Sequence, residues 1–265
     1  MGTPKKASSK NPERDAPLPW RIYVVRRAPL RQAVVMLRGP RRTTATFLWD
    51  LDDDRFQIGQ MLRNNWLKTD ECDLSADGKW FGYYARTPHD NDPVSGSRYH
   101  VVSRPPYLSA VYLDPHASTH ENNPNFSPAY PPIPEELRRD LCSNVRSTLH
   151  REGWSEASED STARWHFGKP VNRHWHLVRC KHGYDPKREA SRTVGGYYSH
   201  VLVRADGHRI PQPDWEWADT DNGQLIWAEK GQIHRAEHLD KNGPMQPKVL
   251  YDFRGLTFRR IRAPY

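Results

Sequence analysis

The sequence predicts an all-β protein built as a small β-propeller of five or six blades, with one helical insertion. Three observations predict it. Proline is abundant, 23 residues in 265, and long helices tolerate it poorly because it lacks the amide proton and clashes with the preceding turn. Ten Trp and twelve Tyr suit pleated, half-buried strands better than helix interiors. Short β-type runs recur between turn dipeptides, which is the rhythm of sandwiches, barrels and propellers.

Taken in order, residues 1–18 are rich in Lys, Pro and Ser and contain no apolar h-region. They read as a disordered basic tail, with one propeller-like domain expected over residues 19–265. Candidate strands follow at Ile22–Arg26, Ala33–Leu37, Ala45–Leu51, Arg55–Met61, Lys79–Ala85, Tyr99–Ser103 and Leu108–Leu113. Gly39-Pro40, Asp52-Asp53-Asp54, Ala76-Asp77-Gly78 and Asp92-Pro93 separate them, each a sequence that favours a bend. Residues 116–134 are crowded with Pro, Asn and Ser and read as a long loop, the start of an insertion reaching about residue 153. Within it a helix is expected from Pro134 to Gly153. Glu135 and Glu136 suit its first turn, and Leu137, Leu141, Val145 and Leu149 share one face. Strands resume at Trp175–Arg179, Tyr197–Arg204, Trp215–Asp219, Gln224–Ala228, Gln232–Glu237, Lys248–Asp252 and Thr257–Ile261. Asp206-Gly207, Asn222-Gly223 and Lys230-Gly231 mark hairpins, because both central residues of such turns take positive φ.

One short pattern recurs. Arg27-Ala28-Pro29-Leu30, Arg104-Pro105-Pro106-Tyr107 and Arg262-Ala263-Pro264-Tyr265 are alike, with a weaker copy at Lys181-His182-Gly183-Tyr184. Their spacing near 78 residues is twice a typical ~40-residue blade, which suggests six blades; five also fit the length. Leu74-Ser75-Ala76-Asp77-Gly78-Lys79-Trp80 resembles the blade-opening signature of TolB-like and WD40-like propeller repeats. Asp221-Asn222-Gly223-Gln224-Leu225-Ile226-Trp227, followed by Gly231-Gln232-Ile233, resembles the next hairpin of such a blade. Trp49-Asp50 is the only Trp-Asp dipeptide in the chain, a departure from the WD40 pattern. The resemblance implies an interaction platform, although some propellers house enzymes and fold alone settles no function.

The chemistry legible in the chain is sparse. No G-x-S-x-G, Walker-type loop, H-E-x-x-H or dinucleotide fingerprint occurs, so no catalytic residue and no cofactor are expected. His174, His176, Cys180 and His182 fall at even spacing, and a His-x-His pair on a strand can chelate zinc. His174 and His176 are therefore weak metal candidates; exposed polar side chains near a turn are the plainer reading. Asp50, Asp52 and Asp54 alternate as in an acidic calcium loop, but Arg55 and Met61 stand where Gly and Glu belong. Cys72, Cys142 and Cys180 are too few and scattered for a disulfide framework. No apolar run reaches the ~18–20 residues of a membrane helix, and a cytoplasmic location is expected.

Charge is the more informative feature. The formal net charge is +8. No Asp or Glu occurs between Ala16 and Trp49, where Arg21, Arg26, Arg27, Arg31, Arg38, Arg41 and Arg42 lie. None follows Asp252, where Arg254, Arg259, Arg260 and Arg262 lie. In a closed ring the two ends meet, so these arginines are expected to form a basic sector. Guanidinium forks pair with carboxylate or phosphate. The sector thus suits a partner protein first and nucleic acid second, with pairing to neighbouring strands as the structural alternative. The functional expectation is a non-enzymatic interaction or scaffold module. A nucleic-acid-binding protein and an enzyme with a metal near His174 and His176 are the alternatives.

Overall fold

Four stretches of the chain fold back on themselves as antiparallel meanders. The computed structural model describes residues 20–39, 43–63, 66–86, 98–115, 130–141, 145–157, 165–182 and 197–265. Blade A holds β1 (Arg21–Arg26), β2 (Gln32–Gly39), β3 (Thr43–Asp50) and β4 (Arg55–Leu62). Blade B holds β5 (Trp66–Leu74), β6 (Phe81–Arg86), β7 (Arg98–Ser103) and β8 (Tyr112–Pro115). Two short helices follow, Glu135–Asp140 and Val145–Arg151. Blade C is assembled from β9 (Ser155–Glu156), β10 (Trp165–Pro170), β11 (Trp175–His182), β12 (Tyr197–Arg204) and β13 (Arg209–Gln212). Blade D has β14 (Trp215–Asp221), β15 (Gln224–Glu229) and β16 (Gln232–Ala236). A separate hairpin of β17 (His238–Asp240) and β18 (Gly243–Met245) precedes its last strand, β19 (Lys248–Asp252).

The turns fix these meanders. Asn222 (φ 49°) and Gly223 (φ 73°) join β14 to β15, and Lys230 (φ 48°) and Gly231 (φ 80°) join β15 to β16. Both pairs have the left-handed geometry of tight hairpins. The Ser75–Lys79 signature forms the β5–β6 turn. Ser75 Oγ donates to Asp77 at 2.7 Å, the Lys79 N–H donates to the same carboxylate, and Gly78 sits at φ +70°.

Among the described residues the blades stand in a propeller-like ring of four; the five or six that the repeat suggested are not confirmed. Within each half of the chain the first strands lie one blade apart, Arg21 to Trp66 (45 residues) and Ser155 to Trp215 (60 residues). The recurrent Arg-x-Pro-x motif marks a turn. Ala28-Pro29 and Pro105-Pro106 are both cis, and Leu30 and Tyr107 each donate back to the Arg carbonyl at 2.8 Å. One turn follows the first strand of blade A and the other the third strand of blade B, so their spacing counts no blades. The weaker copy passes outside the described residues after His182.

Burial follows the alternation of each strand. Ile22, Val24, Val35, Leu37, Phe47 and Trp49 of blade A pack against Trp217, Ile226, Ile233 and Phe253 of blade D. The opposite side chains, Tyr23, Val25, Val34 and Met36, meet Leu74, Phe81, Tyr83 and Val101 of blade B. Blades C and D share Trp175, Leu177, Leu202, Trp215 and Trp227. The helices stand between B and C: Leu141 packs on Val102 of blade B, while Leu149 and Trp154 enter the C–D core.

Several expectations are corrected. The single helix expected over Pro134–Gly153 is two helices, the first ending at Leu141, whose ψ of 87° leaves the helical region. Thr257–Ile261 is not a strand. Its Leu256, Phe258 and Ile261 pack on the A–D core without backbone pairing, making the C-terminal segment a strap. Only Tyr112–Pro115 pairs in the Leu108–Leu113 region. The tail at residues 1–18, Arg41, Arg42, Cys142 and residues 116–129 lie outside the described residues.

Candidate functional site

Where the blades converge, β1, β5, β14, the second helix and β11–β12 line a half-open axial cavity of about 70 Å³. That is several times the roughly 10–15 Å³ one water needs on the same measure. Its charged lining comes from Arg26, Glu152, Arg179 and Asp219. Arg26 donates to Asp219 (3.1 Å), to the Thr220 carbonyl (2.9 Å) and to Asp221 (2.8 Å). Lys169 reaches the other oxygen of Asp219 at 2.6 Å, and Arg31 reaches Asp221 at 2.8 Å. Burial alone would raise the Asp221 carboxyl, but Arg31 and Arg26 hold it below its ordinary range. Glu152 accepts the Ala28 N–H at 2.9 Å; its carboxyl is raised by burial, with Asp219 adding to the effect.

A second network bolts the helices to blades A and B. Arg27 donates to the Leu74 and Asp140 carbonyls, each at 2.8 Å, and to the Asp140 carboxylate at 2.6 Å. Arg151 donates to Asp73 at 2.5 Å. Burial raises the Asp73 carboxyl, and Arg151 and Arg27 pull against that rise.

Of the eleven arginines named from sequence, the nine within the described residues therefore do not form one sector. Arg26, Arg27 and Arg31 are committed to carboxylates at one end of blade A. Arg38 lies at the far end of β2, in register with Arg21 and Thr44. Arg254 pairs with Asp252 in its own turn. Arg259, Arg260 and Arg262 are exposed on the strap, and no carboxylate lies within ion-pair distance of them among the described residues. The chain ends do meet, since the Trp20 indole donates to the Leu256 carbonyl at 3.3 Å.

The strap is fastened rather than loose. The Arg259 N–H points at Met61 Sδ (3.4 Å), and the Arg63 guanidinium lies 3.9 Å above the Phe258 ring. At its end the Tyr265 hydroxyl accepts the Arg104 N–H (3.2 Å) and donates to the Ser109 carbonyl (2.9 Å). The third copy of the recurrent motif thus docks on the second. Exposed Arg63 gave no sequence signal and Arg104 was read only as part of the recurrent motif; only the fold brings them beside the strap.

The histidine and aspartate candidates do not converge. His174 is exposed in the β10–β11 turn and accepts from Arg173 Nε, while His182 meets Ser199 at the other end of β11. Asp52 turns to Arg31 and Asp54 to Arg235. No three His, Cys, Asp or Glu side chains share a metal-sized site among the described residues. Among those residues no helix is long and apolar enough to cross a membrane.

No family model matches the chain, and no curated protein is similar to it in sequence. The propeller-like arrangement is a property of the fold alone, and membership of the TolB-like or WD40-like families has no sequence match behind it.

Proposed function

We propose that this protein is a non-enzymatic interaction module that docks an acidic protein surface on its C-terminal strap. The observation that carries this reading is the contrast in pairing among its arginines. Arg259, Arg260 and Arg262 project into solvent, while Arg26, Arg27, Arg31 and Arg151 already hold carboxylates. A segment fastened at both ends loses little further backbone freedom on binding, and each guanidinium it carries offers a planar fork to a carboxylate.

The strap aromatics favour a protein partner over single-stranded nucleic acid. Base recognition on unpaired strands needs open ring faces. Phe258 is half-buried beneath Arg63, and the Tyr265 hydroxyl is engaged twice while its ring meets Tyr107 edge-on at 6.0 Å. The rings act as fasteners and the guanidiniums are what is presented.

The test is fluorescence anisotropy with a labelled oligoglutamate peptide and a labelled single-stranded oligonucleotide at matched charge and salt. Saturable peptide binding stronger than oligonucleotide binding supports the reading. A preference for the oligonucleotide, with a steep fall in affinity as salt rises, transfers the strap to nucleic acid. Binding to neither removes the docking role.

A further inference from the structure

Arg179 differs from the other buried or half-buried arginines around the ring. Arg26, Arg27, Arg31, Arg151 and Arg235 each hold a carboxylate within 3.2 Å. Arg179 lines the axial cavity, and among the described residues no carboxylate lies within ion-pair distance of it. Its Nε is fully buried with no hydrogen-bond acceptor. Arg151 and Arg235 also bury an unpartnered Nε, but each has a carboxylate beside it. Arg179 is half-buried with no such counter-charge among the described residues, and a partly desolvated cation so placed asks for an explanation.

The surroundings hold this cation in place without neutralising it. Its guanidinium lies 4.1 Å above the Tyr198 ring. Stacking occupies the face of the guanidinium and leaves its in-plane N–H edge available to an acceptor. Directly across the β11–β12 ladder stands His200, 1% exposed. Its Nδ1 meets the Trp215 carbonyl at 3.2 Å, so that nitrogen carries the proton. Burial, and then the charge of Arg179, push its pKa down to about 3. His200 is therefore neutral and supplies no counter-charge. The remaining charged groups of the cavity are occupied elsewhere, Asp219 by Arg26 and Lys169 and Glu152 by the Ala28 amide.

We propose that the axial cavity is a binding site for a small oxyanion, a carboxylate or phosphate group, held on the guanidinium edge of Arg179. The available space of about 70 Å³ suits an anion of a few heavy atoms and is too small for a nucleobase or a peptide. This inference is independent of the strap, which lies on the outer surface and uses other arginines.

The experiment is thermal unfolding of the full chain in sodium phosphate and in sodium acetate, against sodium chloride at equal ionic strength. Specific binding to the folded state raises the midpoint with the logarithm of anion concentration, by roughly 3 °C for each tenfold step above the dissociation constant. A rise in phosphate alone, or in acetate alone, identifies which oxyanion the edge takes. Arg179→Gln removes the charge and should abolish the rise while leaving the chloride midpoint unchanged or higher, because an uncompensated cation has been deleted. A merely structural arginine would instead lower the midpoint in every buffer. R259A/R260A/R262A should retain the full anion response, which separates this site from the strap. No rise over chloride in the wild-type protein overturns the proposal, as does a rise that Arg179→Gln retains.

Discussion

The arginines at the axis and those on the strap come from the same acid-free ends of the chain, yet the fold gives them opposite roles. Arg26, whose side chain is 11% exposed, bridges Asp219 and Asp221, which are 5% and 7% exposed. Arg259, Arg260 and Arg262 face solvent with no carboxylate beside them among the described residues. The difference arises in three dimensions. Blade D brings the acidic end of β14 against the end of β1, whereas the strap crosses blade A near Met61, where no carboxylate among the described residues pairs with its arginines. A cluster of like charges in sequence is therefore not a surface until the partner strands are known. The lesson is that unpaired arginines, rather than abundant ones, mark a docking face.

The sharpest way to break this contrast is at the axis. Arg26→Met leaves Asp219 and Asp221 buried with only Lys169 and Arg31 to compensate. Breaking one side of a buried ion-pair network costs on the order of 3 kcal/mol, and denaturant unfolding should show a loss of that size. A loss under about 1 kcal/mol would mean that the network contributes little and that Arg26 is available for binding after all.

A carboxylate without such a partner sharpens the same point. Glu216 accepts the Ile22 N–H at 2.6 Å, but burial pushes its pKa up to about 7. Below about pH 4.5 it is protonated in both folded and unfolded chains and its contribution is complete. As pH rises towards 7 the unfolded chain ionises while the folded one holds its proton, so stability is lost across that window. Glu216→Gln should match the wild type at pH 4 and exceed it by about 3 kcal/mol at pH 8. Parallel stability–pH curves for the two proteins would contradict the assignment.

Smaller effects are expected at the strap. Tyr265→Phe removes the hydroxyl that joins Arg104 and Ser109 and should cost about 1 kcal/mol or less. Hydrogen exchange should speed at the Arg104 amide while blade D is unaffected. Each of Arg259→Ala, Arg260→Ala and Arg262→Ala should change stability by no more than about 0.5 kcal/mol, as exposed substitutions without partners do. A larger loss at any of the three in a urea titration would expose a structural role.

Much of the fold was legible because its turns carry their own chemistry. Tyr197–Arg204 and Lys248–Asp252 were bounded to the residue, and the Asn222-Gly223 and Lys230-Gly231 hairpins form as their dihedral preferences require. The strand Trp66–Leu74 was not legible. It carries Lys68, Asp70, Glu71 and Asp73, and its pairing with β6 shifts register between Lys68 and Asp73, so no apolar alternation shows. Asp73 reads as a surface residue in sequence but is buried against Arg151. The blade number was hidden because the recurrent motif encodes a turn that the chain uses at two different places in a blade.

The candidate sites were legible only in part. Sequence composition located the strap arginines, because no acid follows Asp252. It could not separate them from Arg26, Arg27 and Arg31, whose partners Asp140 and Asp221 lie between 113 and 195 residues away. Arg179 gave no signal at all, since an arginine flanked by Val178 and Cys180 on a strand looks like any half-exposed position.

The most direct test is the affinity of R259A/R260A/R262A for the oligoglutamate peptide, measured on protein whose unfolding midpoint has been checked. The account predicts that affinity falls roughly tenfold or more while stability stays within about 1 kcal/mol of the wild type. Undiminished peptide binding by the stably folded triple variant would contradict it.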